Sequence, residues 1–298
     1  MSLTKIQKGV LLGLISAIFY GMQPIFSVYL QDMGMSNESI LFYRNFFGAL
    51  PLAIIMIIQK TSFRLTLAEL VTLTYLAFLS DGSALFQLQG FDKSAGSIPT
   101  GVATTVRFVY PILTALIMMI FYKEKCGKAT LMALFMAVAG VGMLSWPSES
   151  VVVKPLGVIF ELLSALCYAF YVVRLNHSRV SNMDTIKLTF YVIFIGSLIF
   201  AAEGLRLGQL QPISNGQEWK YILILSFFCT TIVNLFIVLS ARLIGSTLTS
   251  MLGALEPLTA ILMGLLFMGE TMTVLIGIGI VLVIISVLII IAANKSDK

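Results

Sequence analysis

The sequence predicts an all-α integral membrane protein with ten transmembrane helices, arranged as two five-helix repeats of inverted topology. Three observations lead to this prediction. Apolar residues make up 58% of the 298 residues and charged residues only 11%, far from the composition of a soluble globular domain. Apolar runs long enough to span a bilayer recur along the whole chain. A pattern of one proline and one closing glutamate occurs once in each half.

The repeated pattern lies in two long apolar segments. Pro111 is followed by an apolar stretch that ends at Glu124, and Pro257 is followed by a similar stretch that ends at Glu270. The separation between proline and glutamate is the same in both copies, which indicates that the chain contains one unit twice. Because each proline removes a backbone hydrogen bond, Pro111 and Pro257 are predicted to kink their helices.

Ten apolar segments are predicted to be helices, joined by short connections that leave no room for a separate soluble domain. The first segment is too long in its apolar part for a signal peptide and precedes no small-residue cleavage site, so it is predicted to be the first membrane helix. The longest connection, 203–219, contains the Gly, Pro and Asn typical of a surface loop. The predicted segments are 8–30, 37–59, 67–89, 98–121, 128–146, 155–175, 184–203, 219–240, 246–268 and 272–293.

Lys and Arg are distributed unevenly between alternate loops. Of the 19 such residues, thirteen fall on the side of the N-terminus, four fall on the opposite side, and Arg44 and Arg107 fall within helices. Cytoplasmic loops carry the excess of positive charge, so both termini are predicted to be cytoplasmic. The net charge of +5 is attributed to these loops and not to nucleic-acid binding.

An odd number of helices in each repeat has a topological consequence. The first unit, 1–147, begins on the cytoplasmic side and ends outside, so the second unit, 155–298, begins outside. The two units are therefore predicted to be inverted relative to each other within one multi-pass domain of the cell membrane. Because this internal pseudo-symmetry removes the need for a dimer, the protein is predicted to be a monomer.

Polar and charged residues recur on one face of most predicted helices, whereas the fifth and tenth segments lack buried charge and are interpreted as scaffold. A charge at the bilayer centre costs at least about 2.5 kcal/mol, so these residues are expected to face a shared aqueous cavity. The predicted substrate-binding residues are Tyr20, Gln23, Arg44, Asp81, Arg107, Tyr110, Tyr168, Asn234 and Glu256. The candidates for binding a coupling proton are Glu256, Asp81 and Glu161.

Several of these residues also have a purely structural interpretation. Arg44 could reach the membrane surface or pair with a carboxylate, and Asp81 could simply pair with an arginine. Asn234 could bond a neighbouring helix. The tyrosines could be packing residues whose hydroxyl groups are satisfied locally.

The two repeats resemble the drug/metabolite transporter superfamily, EamA type. The most specific motif is LEPLTAILMGLLFMGE (255–270), and FYRNFFGALPL (42–52) and ARLIGSTLTSML (241–252) also fit. The resemblance covers nearly the whole chain, roughly 8–293. It implies a central cavity built by the first four helices of each repeat, with the fifth helix of each outside it. It also implies export of an amino acid or another metabolite.

The combined observations predict a secondary transporter that moves a small polar metabolite by alternating access. Within one cavity, guanidinium groups would bind a carboxylate and acids would bind an ammonium group. The alternative is a carrier of organic cations such as quaternary ammonium compounds or drugs, which would use the acids and the faces of the tyrosines.

Other functional classes are disfavoured. A membrane-embedded enzyme would need a nucleophile, base or metal cluster, but the predicted helices contain no His, no HExxH motif and no cysteine pair. A receptor that does not transport would not need inverted repeats. No cofactor or metal is predicted, and the absence of a P-loop motif indicates that ATP is not the energy source.

Overall fold

The computed structural model describes residues 4–92, 100–124, 127–144, 154–267 and 274–296. Within these residues, all regular secondary structure is helical. We number the α-helices in chain order, and a π-helical segment at Leu225–Ile232 joins α9 to α10. The α-helices are α1 (Lys5–Asp32), α2 (Asn37–Ile58), α3 (Leu67–Phe91), α4 (Thr100–Arg107), α5 (Tyr110–Tyr122), α6 (Lys128–Leu144), α7 (Pro155–Asn176), α8 (Thr185–Leu207), α9 (Gly216–Ile224), α10 (Val233–Ile244), α11 (Ser246–Leu252), α12 (Leu255–Phe267) and α13 (Val274–Ser296).

The local sequence explains where several helices begin and end. Thr4 accepts a hydrogen bond from the backbone N–H of Gln7, and the Gln7 side chain accepts one from the Thr4 N–H, which forms a capping box at the start of α1. Thr66 and Glu69 form the same arrangement at the start of α3. Helix α8 is followed by Gly208, whose φ of 65° lies in the left-handed region that favours glycine.

Helix covers each of the ten predicted segments within the described residues, and three of these segments are interrupted. The fourth segment consists of α4 and α5, and the ninth consists of α11 and α12. Pro111 lies in the first turn of α5 and Pro257 in the first turn of α12. Proline is tolerated there because its missing N–H would have no partner within the helix. The two prolines therefore lie in the first turn of a new helix that follows an interruption.

The eighth segment is interrupted for a different reason. Between α9 and α10 the backbone forms the π-helical segment, in which hydrogen bonds join residues five apart instead of four. The hydroxyl oxygen of Thr231 lies 2.9 Å from the carbonyl oxygen of Ser226, five residues earlier, and 2.7 Å from that of Gly48 on α2. These contacts hold the π-helical segment against α2.

Helix packing brings the two halves of the chain together. Helix α2 packs along α8, α3 along α7, α1 along α10 and α12, and α6 along α13. The α6–α13 contact is close because Gly140 has no side chain: a Cβ there would lie 3.0 Å from side-chain atoms of Leu282 and Val283. Both α6 and α13 contact each other far more than they contact any other helix.

In the described part of the chain, six helical spans are long and apolar enough to cross a membrane. Large apolar side chains on the outside of the helices are widely exposed, among them Phe78 and Phe135. Exposed apolar surface of this extent is expected where a protein meets lipid. The six spans are Lys5–Asp32, Asn37–Ile58, Pro155–Asn176, Thr185–Leu207, Gly216–Ile244 and Ser246–Met263, and shorter apolar helices lie at Tyr110–Tyr122, Lys128–Met143 and Gly277–Ile289.

Candidate functional site

The two proline-associated interruptions meet in the interior of the protein. Tyr110 begins α5, and its hydroxyl group donates a hydrogen bond of 3.0 Å to Oε1 of Glu256 in the first turn of α12. The same hydroxyl contacts Gly253, just after α11, so closely that a side chain at that position would overlap it. Tyr110 and Glu256 each directly precede the proline of their repeat. Equivalent positions of the two repeated patterns thus touch each other.

Arg107, the last residue of α4, connects four helices through its side chain. Nη1 lies 3.1 Å from Oε2 of Glu256 on α12, and Nη2 donates to the hydroxyl of Tyr20 on α1 at 2.8 Å. Nε donates to Oγ of Ser164 on α7 at 3.1 Å, and Ser164 in turn donates to the backbone carbonyl of Ser83 on α3. All three guanidinium nitrogens are therefore engaged.

Three tyrosine rings surround the Arg107 guanidinium group. Its central carbon lies 4.7 Å from the ring centres of Tyr20 and Tyr168 and 5.6 Å from that of Tyr110. The rings of Tyr110 and Tyr168 meet edge to face with centres 4.8 Å apart. Cation–π attraction is strongest at desolvated sites such as this one. The tyrosines thus form a cage that holds a cation.

The Arg107 cluster, defined as Arg107, Glu256, Tyr20, Tyr110 and Tyr168, is closed in this conformation. Its members are all buried. The cavity beside it has a volume of about 10 Å³ and is also lined by Gln87 and Thr104. That volume is enough for about one water molecule.

A second buried cluster lies between α2, α3 and α8. Asn45 of α2 donates a 2.8 Å hydrogen bond to Oδ1 of Asp81 on α3. The other carboxylate oxygen of Asp81 packs directly on Gly196 of α8 and has no hydrogen-bond partner. Arg44 is close enough to Asp81 to interact electrostatically, yet its buried Nε and Nη1 atoms are also unpartnered. We call Arg44, Asn45 and Asp81 the Arg44 cluster.

Glu161 of α7 is completely buried, and neither of its carboxyl oxygens has a hydrogen-bond partner. Its carboxyl group packs on Gly90 of α3, where a side chain would overlap it. One turn further along α7, Ser164 accepts the hydrogen bond from Arg107. Glu161 is therefore next to the Arg107 cluster but is not bonded to it.

A vestibule of about 560 Å³ opens at the end of the molecule where α1 and α3 finish and α2 begins. Its walls carry amide, hydroxyl and carboxylate groups. Gln31 donates to Asn37, and Asn37 donates to Asp92, both at 2.8 Å. The lining residues are Gln31, Gly34, Met35, Ser36, Asn37, Glu38, Gln89, Asp92, Gln209 and Gln211.

The structure distributes the predicted site residues over several places. It brings Tyr20, Arg107, Tyr110, Tyr168 and Glu256 into one cluster and places Arg44 and Asp81 together in another. It places the remaining two elsewhere. Gln23 is buried and its side chain lies 3.5 Å from Gln87. Half-buried Asn234 accepts a hydrogen bond from Tyr171 and donates one to the carbonyl of Thr230 in the preceding π-helical segment.

Several polar residues at these sites were absent from the predicted set. Asn45 bonds Asp81, Gln87 lines the small cavity, and Ser83 bonds Ser164. An amide within an apolar helix is costly to bury unpaired, so Asn45 and Gln87 could have been noticed on composition alone. Of the two closing glutamates, Glu124 accepts a hydrogen bond from Thr247, and Glu270 lies outside the described residues.

Comparison with known proteins identifies the family. The family model described as the EamA-like transporter family matches the chain twice, at residues 7–146 and 155–292. The chain belongs to the EamA-like transporter family. This membership makes it a multi-pass membrane protein and a membrane transporter. The buried charges described above therefore lie within a protein surrounded by lipid.

Relatives of this EamA-like transporter are themselves named as transporters. It is 25% identical to an uncharacterized transporter of Archaeoglobus fulgidus over 88% of this chain and 90% of that protein. It is 23% identical to the uncharacterized inner membrane transporter YicL of Salmonella typhimurium over 95% of both chains. The match to the uncharacterized transporter YxxF of Bacillus subtilis, also 25% identical, spans 62% of this chain and 58% of that protein.

The fold also has a solved counterpart. A protein crystal structure superposes with a TM-score of 0.79 and covers 97% of this chain and 99% of its own, at 14% sequence identity. At that identity, the similarity concerns the fold alone.

Proposed function

We propose that this EamA-like transporter is a secondary carrier that exports a small polar metabolite, such as an amino acid, by alternating access. In this proposal the ten helical segments are ten membrane crossings, and both termini are cytoplasmic, as the distribution of Lys and Arg predicts. The units 1–147 and 155–298 are inverted repeats within a monomer. The vestibule then faces the outside of the cell.

The positions of the two family matches and of the contacts between helices support the inverted repeats. The family match occurs once in each half, and each half has one helix interrupted just before its proline. In this arrangement α7 is the equivalent of α1, and the span from α9 to α10 is the equivalent of α3. The α3–α7 contact and the α10–α1 contact are then equivalent contacts. The α2–α8 and α6–α13 contacts then join equivalent helices, as a twofold axis in the membrane plane requires.

The observation that carries the substrate proposal is the set of unpartnered atoms in the Arg44 cluster. Arg44 Nε and Nη1 are buried donors without acceptors, and Asp81 Oδ2 is a buried acceptor without a donor. A buried polar group left unpaired costs about 1–3 kcal/mol, and more when it is charged. A zwitterion satisfies both sides. We assign its carboxylate to Arg44 and its ammonium group to Asp81.

The Arg107 cluster has a different role in this proposal. Its guanidinium and carboxylate groups already satisfy each other, so they close the pathway in this conformation. Opening it would separate α4 and α1 from α12. Tyr168, whose hydroxyl group is buried and unpartnered, is then available to the substrate. A proton bound to Glu256, Asp81 or Glu161 is the candidate coupling ion.

Transport of an organic cation is the second candidate function, and the tyrosine cage favours it. Tyr20, Tyr110 and Tyr168 already surround a planar cation, the Arg107 guanidinium group. If Arg107 moved away, the same rings could hold a quaternary ammonium group. In that case Arg44 would not be required for substrate binding.

Counterflow in proteoliposomes tests the two candidates. We expect the wild-type protein to exchange at least one neutral amino acid, and Arg44→Gln and Asp81→Asn each to weaken its binding about 10-fold or more, since each removes a bond to a charged group. Arg206→Gln is the matched control, because Arg206 is an exposed arginine that pairs with Glu203 at the end of α8. Exchange of quaternary ammonium compounds that survives Arg44→Gln would establish the cation function instead. Wild-type protein that exchanges neither class would contradict both.

A further inference from the structure

Glu161 is a buried acid that the substrate proposal does not use. It is completely buried, and both of its carboxyl oxygens lack a partner. A carboxylate in such a position would lack direct hydrogen bonds, because no described group bonds either oxygen. Charged groups that are buried without partners neutralise instead of remaining charged. The geometry of this conformation thus corresponds to a protonated Glu161.

The charged and polar groups around Glu161 determine which side chain a deprotonated Glu161 would attract. Helix α3 contributes Gly90 at the point of contact, and α4 contributes Arg107, whose charge reaches Glu161. Tyr110 of α5 and Tyr168 of α7 itself lie against Arg107. Helices α10 and α11 contact α7 near its opposite end, through bonds to Asn176 and to the carbonyl of Val172.

The other acids nearby are already engaged. Glu256 on α12 is paired with Arg107, and Asp81 faces Asn45 on the α2 side of α3. Asp92, at the end of α3, accepts a hydrogen bond from Asn37 in the vestibule wall. Glu161 therefore differs from Glu256, Asp81 and Asp92, since neither of its carboxyl oxygens is bonded.

We infer that Glu161 is the site at which a coupling proton binds, and that it controls the Arg107–Glu256 pair. In the closed state its carboxyl group keeps the proton and Arg107 stays bonded to Glu256. When the proton leaves to water, the new carboxylate attracts the Arg107 guanidinium group. The Nη1 bond to Glu256 breaks, Glu256 retains the Tyr110 hydroxyl, and α12 is released from α4. This inference deepens the proposed transport function and rests on it.

The contact of Glu161 with α3 determines the side of the membrane with which its proton would exchange. Its carboxyl group packs on Gly90, and the nearby residues Gln89 of α3 and Asp92, which follows α3, line the vestibule. The proton would thus exchange with the vestibule side of the membrane. The absence of a side chain at Gly90 is what gives the carboxyl group its place there.

Infrared difference spectroscopy on the reconstituted, substrate-free protein tests this inference. A pH step from acidic to alkaline should remove the carbonyl-stretch band of one buried protonated carboxyl group. Glu161→Gln should abolish that band, and Glu161→Asp should keep it at a shifted frequency. Glu203→Gln is the matched control, because Glu203 is a partly exposed acid paired with Arg206. Loss of the band in Glu256→Gln or Asp81→Asn but not in Glu161→Gln would overturn the assignment, and so would the absence of any pH-sensitive band.

Hydrogen exchange of backbone amides provides the second measurement, which tests whether Glu161 controls the Arg107–Glu256 pair. After correction for intrinsic rates, amides between α11 and α12 should exchange faster at alkaline pH in the wild type and at a pH-independent rate in Glu161→Gln. A pH response that persists in the folded variant would show that Glu161 does not control the pair. Neither measurement needs a substrate, so failure here is separate from failure of the counterflow test.

Discussion

The Arg107 cluster and the Arg44 cluster combine the same chemical groups and differ in how completely those groups are satisfied. Each contains one buried arginine and one buried acid within a membrane protein. In the first, every guanidinium nitrogen and both Glu256 oxygens are bonded. In the second, two guanidinium nitrogens and one Asp81 oxygen are unpartnered. The difference indicates that the first cluster stabilises this conformation, and it is the basis of our proposal that the second binds substrate.

Replacing each arginine with methionine separates these roles most strongly. Arg107→Met leaves the Glu256 carboxylate buried and unpaired, so we expect a loss of about 3–5 kcal/mol in the free energy of unfolding. Arg44→Met removes a group that already has unpaired nitrogens, and we expect a loss below about 1 kcal/mol. Denaturant unfolding in detergent measures both values. Equal losses in the two variants would contradict the comparison.

The tyrosine hydroxyls extend the same comparison to a single oxygen atom. Tyr110→Phe removes a hydrogen bond to the Glu256 carboxylate and should cost about 1.5–3 kcal/mol. Tyr168→Phe removes a buried hydroxyl that has no partner, so the stability of the protein should be unchanged or slightly increased. Thermal unfolding of the two variants in the same detergent checks this. A Tyr168→Phe variant that loses as much stability as Tyr110→Phe would show that its hydroxyl is bonded after all.

The smallest effect on stability is expected for a substitution at Gly253, where the two interrupted helices meet. Gly253→Ala would overlap the Tyr110 hydroxyl, and we expect this overpacking to cost about 1–3 kcal/mol. Gly142→Ala on α6 is the control, since a side chain there meets nothing within 4 Å and should stabilise the helix by about 0.5–1 kcal/mol. Relative to the wild type, the free energy of unfolding should therefore fall in Gly253→Ala and rise in Gly142→Ala. Stabilisation of both would mean that Tyr110 moves away easily.

The sequence predicted the helical segments and the main charged residues because both depend on composition. Arg107 and Glu256 are charges within apolar runs, and the cost of burying a charge in lipid marks such residues without a structure. Pro111 and Pro257 marked the two interruptions because proline lacks an N–H group.

The pairing of side chains between helices could not be predicted in the same way. Asn45 bonds Asp81 and Ser164 bonds Arg107 because of how the helices are rotated against each other, and helical spacing alone does not determine this rotation. For Asn234 the sequence left open a role in substrate binding or a bond to a neighbouring helix, and in the structure it bonds Tyr171 of α7 and Thr230. The π-helical segment was not predicted either, because neither proline nor glycine occurs between Leu225 and Ile232.

The pairing of Arg107 with Glu256 has an electrical consequence. Moving one elementary charge across a membrane potential changes the free energy by about 2.3 kcal/mol for every ~100 mV. Arg107 and Glu256 have opposite charges and lie 3.1 Å apart, so a movement that keeps them together transfers almost no net charge. Such a movement would be nearly independent of voltage. Sensitivity to the membrane potential would then arise in the steps that separate the two groups or carry a proton or charged solute across the field.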